Sequence, residues 1–490
     1  MPTPLAALAL LLQGASQHTA PPPAGPPPPP RVDWAAEGRA AVETRARVEP
    51  VTGPARNVVL MIADGADVAT LTAARILAGQ RAGGPGEEHV LAIDRLPHTA
   101  LVKTYNVNAQ VPDSAGTATA ILSGRKTRIG VVNVDASVPR GDCEAARGHR
   151  LTTLADLAAS MGKATGVVTT ARLTHATPAS LYASSPDRDW ENDADVPRGA
   201  ACKDIAAQLV DRAPSLNLAV AMGGGRRAFL PREAGGRRGD GRDLTEAWSA
   251  RGGVVASDLA EAAAADGPVL GLFSDDHLDY EADRTDQPSL AEMSRAAIER
   301  LRADEDGFLL LIEGGRVDHG HHAGNAARAL GDMIAFDEAV AAVLDSVSLA
   351  DTLVLVTSDH GHTMTIQGYP MRGNPVLGIV KTETNDGHEP VIAVDDRPYT
   401  TLAYANGPGA LWMRQAAEGR PLISDDVAQD TDYIQQSAVP ARSETHGGQD
   451  VPAFAAGPGA WLVGGVLEQN ALYFVIEHAL GVRTDGQDSR

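Results

Sequence analysis

The chain has no stretch approaching the ~20 consecutive apolar residues that a membrane-spanning helix requires, so no span is expected. The apolar segment at 472–482 is broken by Glu477 and His478, and no lipid-anchor tail is expected either. Basic residues are scarce: 42 Lys and Arg face 63 Asp and Glu, a net charge of −21. With no dominant basic patch, neither a nucleic acid nor an acidic membrane is the expected partner. An anionic substrate would have to be drawn in by local positive charge, such as metal ions. Only two cysteines occur, Cys143 and Cys202, at a spacing that fits no zinc motif. An even count in an exported chain reads as a disulfide; two unlinked thiols are the alternative. Internal repeats are absent.

At 490 residues the chain can bury one large core or two moderate ones. Residues 5–12 form a short apolar run, followed by Gly14, Ala15 and Ser16 and then a Pro-rich stretch at 21–30. This reads as a signal peptide and linker over 1–30, lacking the usual preceding Lys or Arg, so the chain is expected to be exported to the periplasm or beyond. A disordered cytosolic tail is the alternative. Further on, short apolar runs end at polar residues: 57–63 into Asp64, 166–170 toward His175, 218–222 into Gly223-Gly224-Gly225, 308–312 into Glu313, and 352–358 into Asp359. Helical segments such as 151–161 and 326–343 lie between them. Unalternated strands separated by helices predict an α/β fold, a large, mostly parallel central sheet with helices on both faces. In such sheets the ligand site lies beyond the carboxyl ends of the strands. The core is expected over 31–368 and again over 440–490. Between them, at 369–439, Gly, Pro and short alternating pieces (391–394, 400–404, 410–413) suggest an inserted β-rich region.

Three strands deliver an acid at one edge. In Glu313-Gly-Gly-Arg-Val-Asp318-His319-Gly-His321-His322, two acids and three histidines fall within ten residues. Asp318 and His322 are four apart, which puts both on one face of a helix. Asp359-His360-Gly-His362 repeats the combination, and distant His446 could complete a set of carboxylate and imidazole ligands suited to zinc. In Val111-Pro-Asp-Ser114-Ala-Gly-Thr-Ala-Thr-Ala120, small residues can enter a helix with Ser114 near its N-terminus, where the dipole favours an alkoxide or a phosphoserine. Capping of that helix is the plainer role for Ser114. No Gly-x-Ser-x-Gly elbow surrounds this serine. A metal at its oxygen is the other way to activate it.

These motifs resemble the alkaline phosphatase family, its animal and related bacterial members more than the enterobacterial type. The likeness runs from about Asn57 to Glu468 and includes Leu101-Val-Lys-Thr-Tyr-Asn-Val107, Val168-Thr-Thr-Ala-Arg-Leu-Thr-His-Ala-Thr-Pro178 and Gln435-Gln-Ser-Ala-Val-Pro440. The resemblance implies hydrolysis of phosphate monoesters through a phosphoserine on Ser114, at a site of two zinc ions and one magnesium. By motif, Asp318, His322 and His446 would hold the first zinc. Asp64, Asp359 and His360 would hold the second, with Ser114 as its nucleophilic ligand. Asp64, Glu313 and Thr177 would hold magnesium, with His175 behind them. Arg188 would grip phosphate, Cys143 would pair with Cys202, and 369–439 would be a crown-like subdomain of a homodimer.

The sequence also departs from the family. The usual Gly-Asp-Gly-Met-Gly turn reads Ala63-Asp64-Gly65-Ala66-Asp67. The stretch matching a fourth, calcium-like site is shortened after Pro231, and Ser274 stands where an acid is expected, so that site is not expected here. A phosphodiesterase or sulfatase on the same metal framework is an alternative, although the sulfatase Cys-x-Pro-x-Arg signature is missing. A non-catalytic metal-binding protein and a metal-free serine hydrolase are others.

Overall fold

A computed structural model describes residues 33–384, 387–411 and 419–482; the expected signal peptide and linker lie outside them. The chain divides into two units, 1–47 and 48–490. The described part of the first is the helix Trp34–Ala46, whose N-terminal amides are capped by the Asp33 side chain.

In the second unit, β1 (Asn57–Ala63) has no polar alternation because both its faces are covered: six of its seven residues are buried. Val59, Met61 and Ala63 enter one apolar layer, while Val58, Leu60 and Ile62 enter the other. Each buried side chain of this kind contributes ~1.5–3 kcal/mol relative to exposure. The chain continues through β2 (His98–Lys103), β3 (Ala164–Arg172), β4 (Leu218–Gly224), β5 (Val254–Ala256), β6 (Val269–Leu272), β7 (Phe308–Gly314) and β8 (Thr352–Ser358). Short strands follow: β9 (Gly361–His362), β10 (Met364–Ile366), β11 (Lys381–Thr384), β12 (Gly387–Pro390), β13 (Leu402–Gly407), β14 (Ser437–Pro440) and β15 (His446–Gly447). The chain then returns as β16 (Val451–Ala456) and β17 (Gly465–Glu468).

Ten strands form one sheet in the order β17-β2-β16-β8-β1-β7-β3-β4-β6-β5. Neighbours run parallel, except that β16 runs against both β8 and β2. Helices Val68–Arg81, Leu290–Leu301 and Ala326–Ser346 pack into the first layer, and Leu154–Ser160, Ile205–Arg212 and Ala471–Ala479 into the second. The large, mostly parallel sheet with helices on both faces is as expected.

Boundaries differ where local chemistry decides them. The helix expected at 151–161 starts at Leu154, because Thr153 and Asp156 form a reciprocal capping box. Between β8 and β16 the chain builds a three-stranded sheet, β10-β13-β14, and the hairpin β11–β12. Residues 391–394 form no strand, and Ala410 and Leu411 are helical. Residues 412 and 413, also expected in a strand, lie outside the described residues. Cys143 and Cys202 are disulfide-bonded across a separation of 59 residues. Closing a loop of that length stabilises by ~4 kcal/mol in the chain-entropy account. Among the described residues, no helix is long and apolar enough to cross a membrane.

Candidate active site

The carboxyl ends of β1, β7 and β8 lie level, with Ala63 opposite Gly314 on one side and Ser358 on the other. Asp64, Glu313 and Asp359 therefore meet at one edge of the sheet, all buried. Just past β7, the helix Arg316–His322 carries Asp318 and His322 on one face, with His322 Nε2 3.4 Å from Asp318 Oδ1. The reversed strand β16 explains how His446 reaches the same edge. It begins where the parallel strands end, and β15 just ahead of it pairs with β9, setting His446 opposite His362. His362 Nε2 and His446 Nε2 lie 2.8 and 3.3 Å from the same Asp318 oxygen.

Each imidazole here is held from behind. His322 Nδ1 lies 2.6 Å from the Glu444 carbonyl and His446 Nδ1 2.8 Å from the Pro112 carbonyl. His362 Nδ1 lies 2.5 Å from the Glu444 carboxylate. Gly65, at φ +77°, turns the chain after β1, and a Cβ there would stand 2.6 Å from the His362 ring. That close approach excludes a larger residue.

Ser114 opens the helix Ser114–Ser123, but the capping side chain is that of Asp113, which accepts from the Gly116 amide. The Ser114 hydroxyl is thus left for another task. Its Oγ lies 3.1 Å from His360 Nε2, which is itself 3.3 Å from both Asp64 Oδ1 and Asp359 Oδ2. All ten residues of this helix are buried. A Cβ on Gly116 would fall 1.5 Å from Asn106 Nδ2, so the run of small residues reflects close packing around the serine. Arg188 donates to Asp113 Oδ2 at 3.0 Å, and its other terminal nitrogen lies 3.2 Å from His175 Nε2. Burial works against its charge, but Asp113 holds its pKa above the ordinary arginine value. Thr177 donates to Asp64 Oδ2 at 3.4 Å, and Thr169 donates to Glu313.

Among the described residues, three overlapping groups could hold cations: Asp318 with His322, His362 and His446; Asp64 with Asp318 and His360; and Asp64 with His175 and Glu313. Within each, the ligand atoms lie within 4.8 Å of one another. Burial, then mutual repulsion, raises Asp64 well above its ordinary pKa. Burial also raises Asp359, and raises Glu313 to about 7. Asp64 Oδ1 and Glu313 Oε1 are buried with no hydrogen-bond donor. A buried carboxylate oxygen is costly without a partner, and a cation is the partner this donor set fits.

The family model described as alkaline phosphatase matches residues 55–482. The tissue-nonspecific alkaline phosphatase isozyme of Gallus gallus is 43% identical over 450 residues, covering 87% of this chain and 84% of that protein. The chain belongs to the alkaline phosphatase family. The alkaline phosphatase of Gadus morhua is 41% identical over 449 residues, covering 87% of this chain and 91% of that protein. Among solved structures, the Thermus thermophilus alkaline phosphatase superposes with a TM-score of 0.63 at 26% identity, over 89% of this chain and 93% of that one. The enzyme from the Antarctic bacterium TAB5 gives 0.62 at 22% identity, over 88% and 100%. As a member of the alkaline phosphatase family, this chain is a hydrolase of phosphate monoesters.

The candidate catalytic and metal-ligating residues read from the sequence all lie in this one cluster. Its grouping is more shared than the motifs implied: Asp318 also joins Asp64 and His360, and His175 stands with Asp64 and Glu313. His362 is visible in Asp-His-Gly-His, but the sequence does not separate its role from that of His360. Asp113, which orients Arg188, was visible only as the residue before the serine. Glu444 and His277, whose ring is 5.4 Å from that of His175, carry no signal in sequence beyond their residue type.

Proposed function

We propose that this alkaline phosphatase family member works as a two-zinc, one-magnesium phosphomonoesterase with Ser114 as nucleophile. Asp318, His322 and His446 would hold one zinc, with His362 fixing Asp318. Asp64, Asp359 and His360 would hold the other, beside Ser114. Asp64, Glu313 and Thr177 offer the oxygen donors that suit magnesium, and imidazole with carboxylate suits zinc. When bound, the cations supply Lewis-acid stabilisation of the attacking and leaving oxygens and lower the pKa of a water. The observation that carries the reading is Ser114 at the first position of its helix, its hydroxyl free of capping and directed at His360 among Asp64 and Asp359.

In this reading Ser114 Oγ attacks phosphorus in line, the ester oxygen departs with the alcohol, and a phosphoserine forms. The helix N-terminus favours the negative charge gathered there. Arg188, oriented by Asp113, clamps two non-bridging oxygens, which favours a dianionic monoester over a diester. Water then displaces Ser114 and releases inorganic phosphate. The small sheets between β8 and β16 support reading 369–439 as the crown-like insertion between core segments 31–368 and 440–490. Family membership supports a homodimer and export to the periplasm or extracellular space.

The test compares p-nitrophenyl phosphate with its bis-ester at mildly alkaline pH. Each is assayed with zinc and magnesium, after chelation, and with Ser114→Ala. Monoesterase activity lost in both the chelated and the mutant enzyme is expected. Preference for the bis-ester, activity that survives chelation, or zinc binding without turnover would each overturn the reading.

A further inference from the structure

We propose that Asp67 and Gln449 form a clamp that positions His446 and His362 around the first metal pocket, an inference that rests on the ligand reading above. Asp67 stands where the family turn carries glycine, and it is 2% exposed. One of its oxygens caps the helix Val68–Arg81, accepting from the Thr70 amide at 2.9 Å and the Thr70 hydroxyl at 3.1 Å. The other accepts from the side-chain amide of Gln449, three residues past His446. The same Gln449 nitrogen donates to the His362 carbonyl at 2.6 Å. One amide group therefore ties the loop that follows Asp64 to the two-residue ladder in which His446 faces His362.

The packing leaves little freedom. A Cβ on Gly361 would stand 2.6 Å from Gln449 Nε2 and 2.8 Å from the Asp67 Cβ. A Cβ on Gly447 would stand 2.0 Å from Gln449 Oε1. Both glycines of the ladder are thus roofed by the clamp. Behind it the hydrogen bonds run in one direction: Tyr404 O–H to His321 Nδ1 at 2.8 Å, His321 Nε2–H to Thr70 Oγ1 at 3.1 Å, and Thr70 O–H to Asp67. The Asp67 carboxylate collects the end of this chain, so removing its Gln449 contact leaves a buried anionic oxygen unpaired. The ladder would then shift to relieve it.

The experiment uses the zinc-loaded enzyme. Zinc release to a competing chelator, kcat and KM on p-nitrophenyl phosphate are measured for wild type, Gln449→Glu, Gln449→Ala and the swap Asp67→Asn with Gln449→Glu. Both single variants are expected to lose zinc at least ~10-fold faster and to lose kcat ~10-fold or more, with KM within ~3-fold, as for residues that orient metal ligands. The swap restores an amide facing a carboxylate but leaves the His362 carbonyl without its donor, so it is expected to recover part of each loss and to stand between Gln449→Glu and wild type. Single variants that match wild type, or a swap as impaired as Gln449→Glu, overturn the clamp. If Gln449→Glu does not fold, Gln449→Ala is judged by the same criterion. A wild-type enzyme that holds no zinc overturns the ligand reading, and this inference with it.

Discussion

At one end of the buried cluster Asp318 is ringed by three imidazoles, and each ring is anchored behind by a carbonyl or a carboxylate. At the other end Thr177 donates to Asp64 and Thr169 to Glu313, His360 Nε2 lies 3.3 Å from Asp64 Oδ1, and each carboxylate keeps one oxygen without a hydrogen-bond donor. Their charges respond in opposite ways. Burial tends to raise Asp318, but His322 first, then His362 and His446, hold it well below the ordinary range. Burial raises Asp64 and Glu313, and the Arg188 charge near Asp64 and the Thr169 hydrogen bond to Glu313 offset it only in part. The histidine pocket is shaped by its own protein contacts, whereas the carboxylate pocket is completed electrostatically by what it binds. The first should therefore govern the chemistry and the second the coupling of cation binding to stability.

The largest effect should follow from breaking the shared carboxylate. Asp318→Ala is expected to lower kcat/KM by ~10³-fold or more, the scale of several kcal/mol of charge stabilisation, and zinc content should fall with it. Glu313→Gln should cost ~10–100-fold, partly recovered by raising magnesium, as for residues that tune a metal rather than complete it. Equal losses in the two variants would erase the distinction between the pockets. Asp113→Asn lies between the two ends. By loosening Arg188 it should raise KM ~10-fold, about the weight of one hydrogen bond to a charged group, and leave zinc content unchanged.

The smallest effect concerns the metal-free protein. Glu313 goes from its ordinary 4.5 to about 7, so the stability of the folded protein tied to it is full below 4.5 and is lost as pH rises through about 7. Thermal melts of metal-free wild type and Glu313→Gln should diverge by a few degrees between pH 5 and 8, the variant gaining on the wild type. His175 and His360 are held low by burial and pull the other way, but they do so in both proteins and cancel in the difference. A divergence that persists with cations bound would contradict the electrostatic account of this pocket.

The two ends also differ in how readily they are read from sequence. Asp64, Glu313 and Asp359 announce themselves because an unalternated strand precedes each, and strand register alone brings them level. Asp318 and His322 are legible from helical spacing. His446 is not local to anything; only its motif suggested a partner, and the reversal of β16 that delivers it leaves no periodic trace. The bonds behind the ligands are harder still. Glu444 to His362 and Gln449 to Asp67 join side chains 82 and 382 residues apart, and one sequence carries no information about such pairs. The loosely patterned 391–394 and the described 410–411 form no strand for a related reason. Short alternating segments are decided by their neighbours rather than by their own composition.

The reversed strand has a consequence in time. The sheet is largely spelled out by β8, yet the pocket around Asp318 stays open on one side until the chain has passed His446 and turned back along β16. A nascent polypeptide would carry Ser114, Arg188 and most of the buried acids long before it could close the ring around them. The small ladder of β9 with β15, late in the chain, is the piece that closes that side.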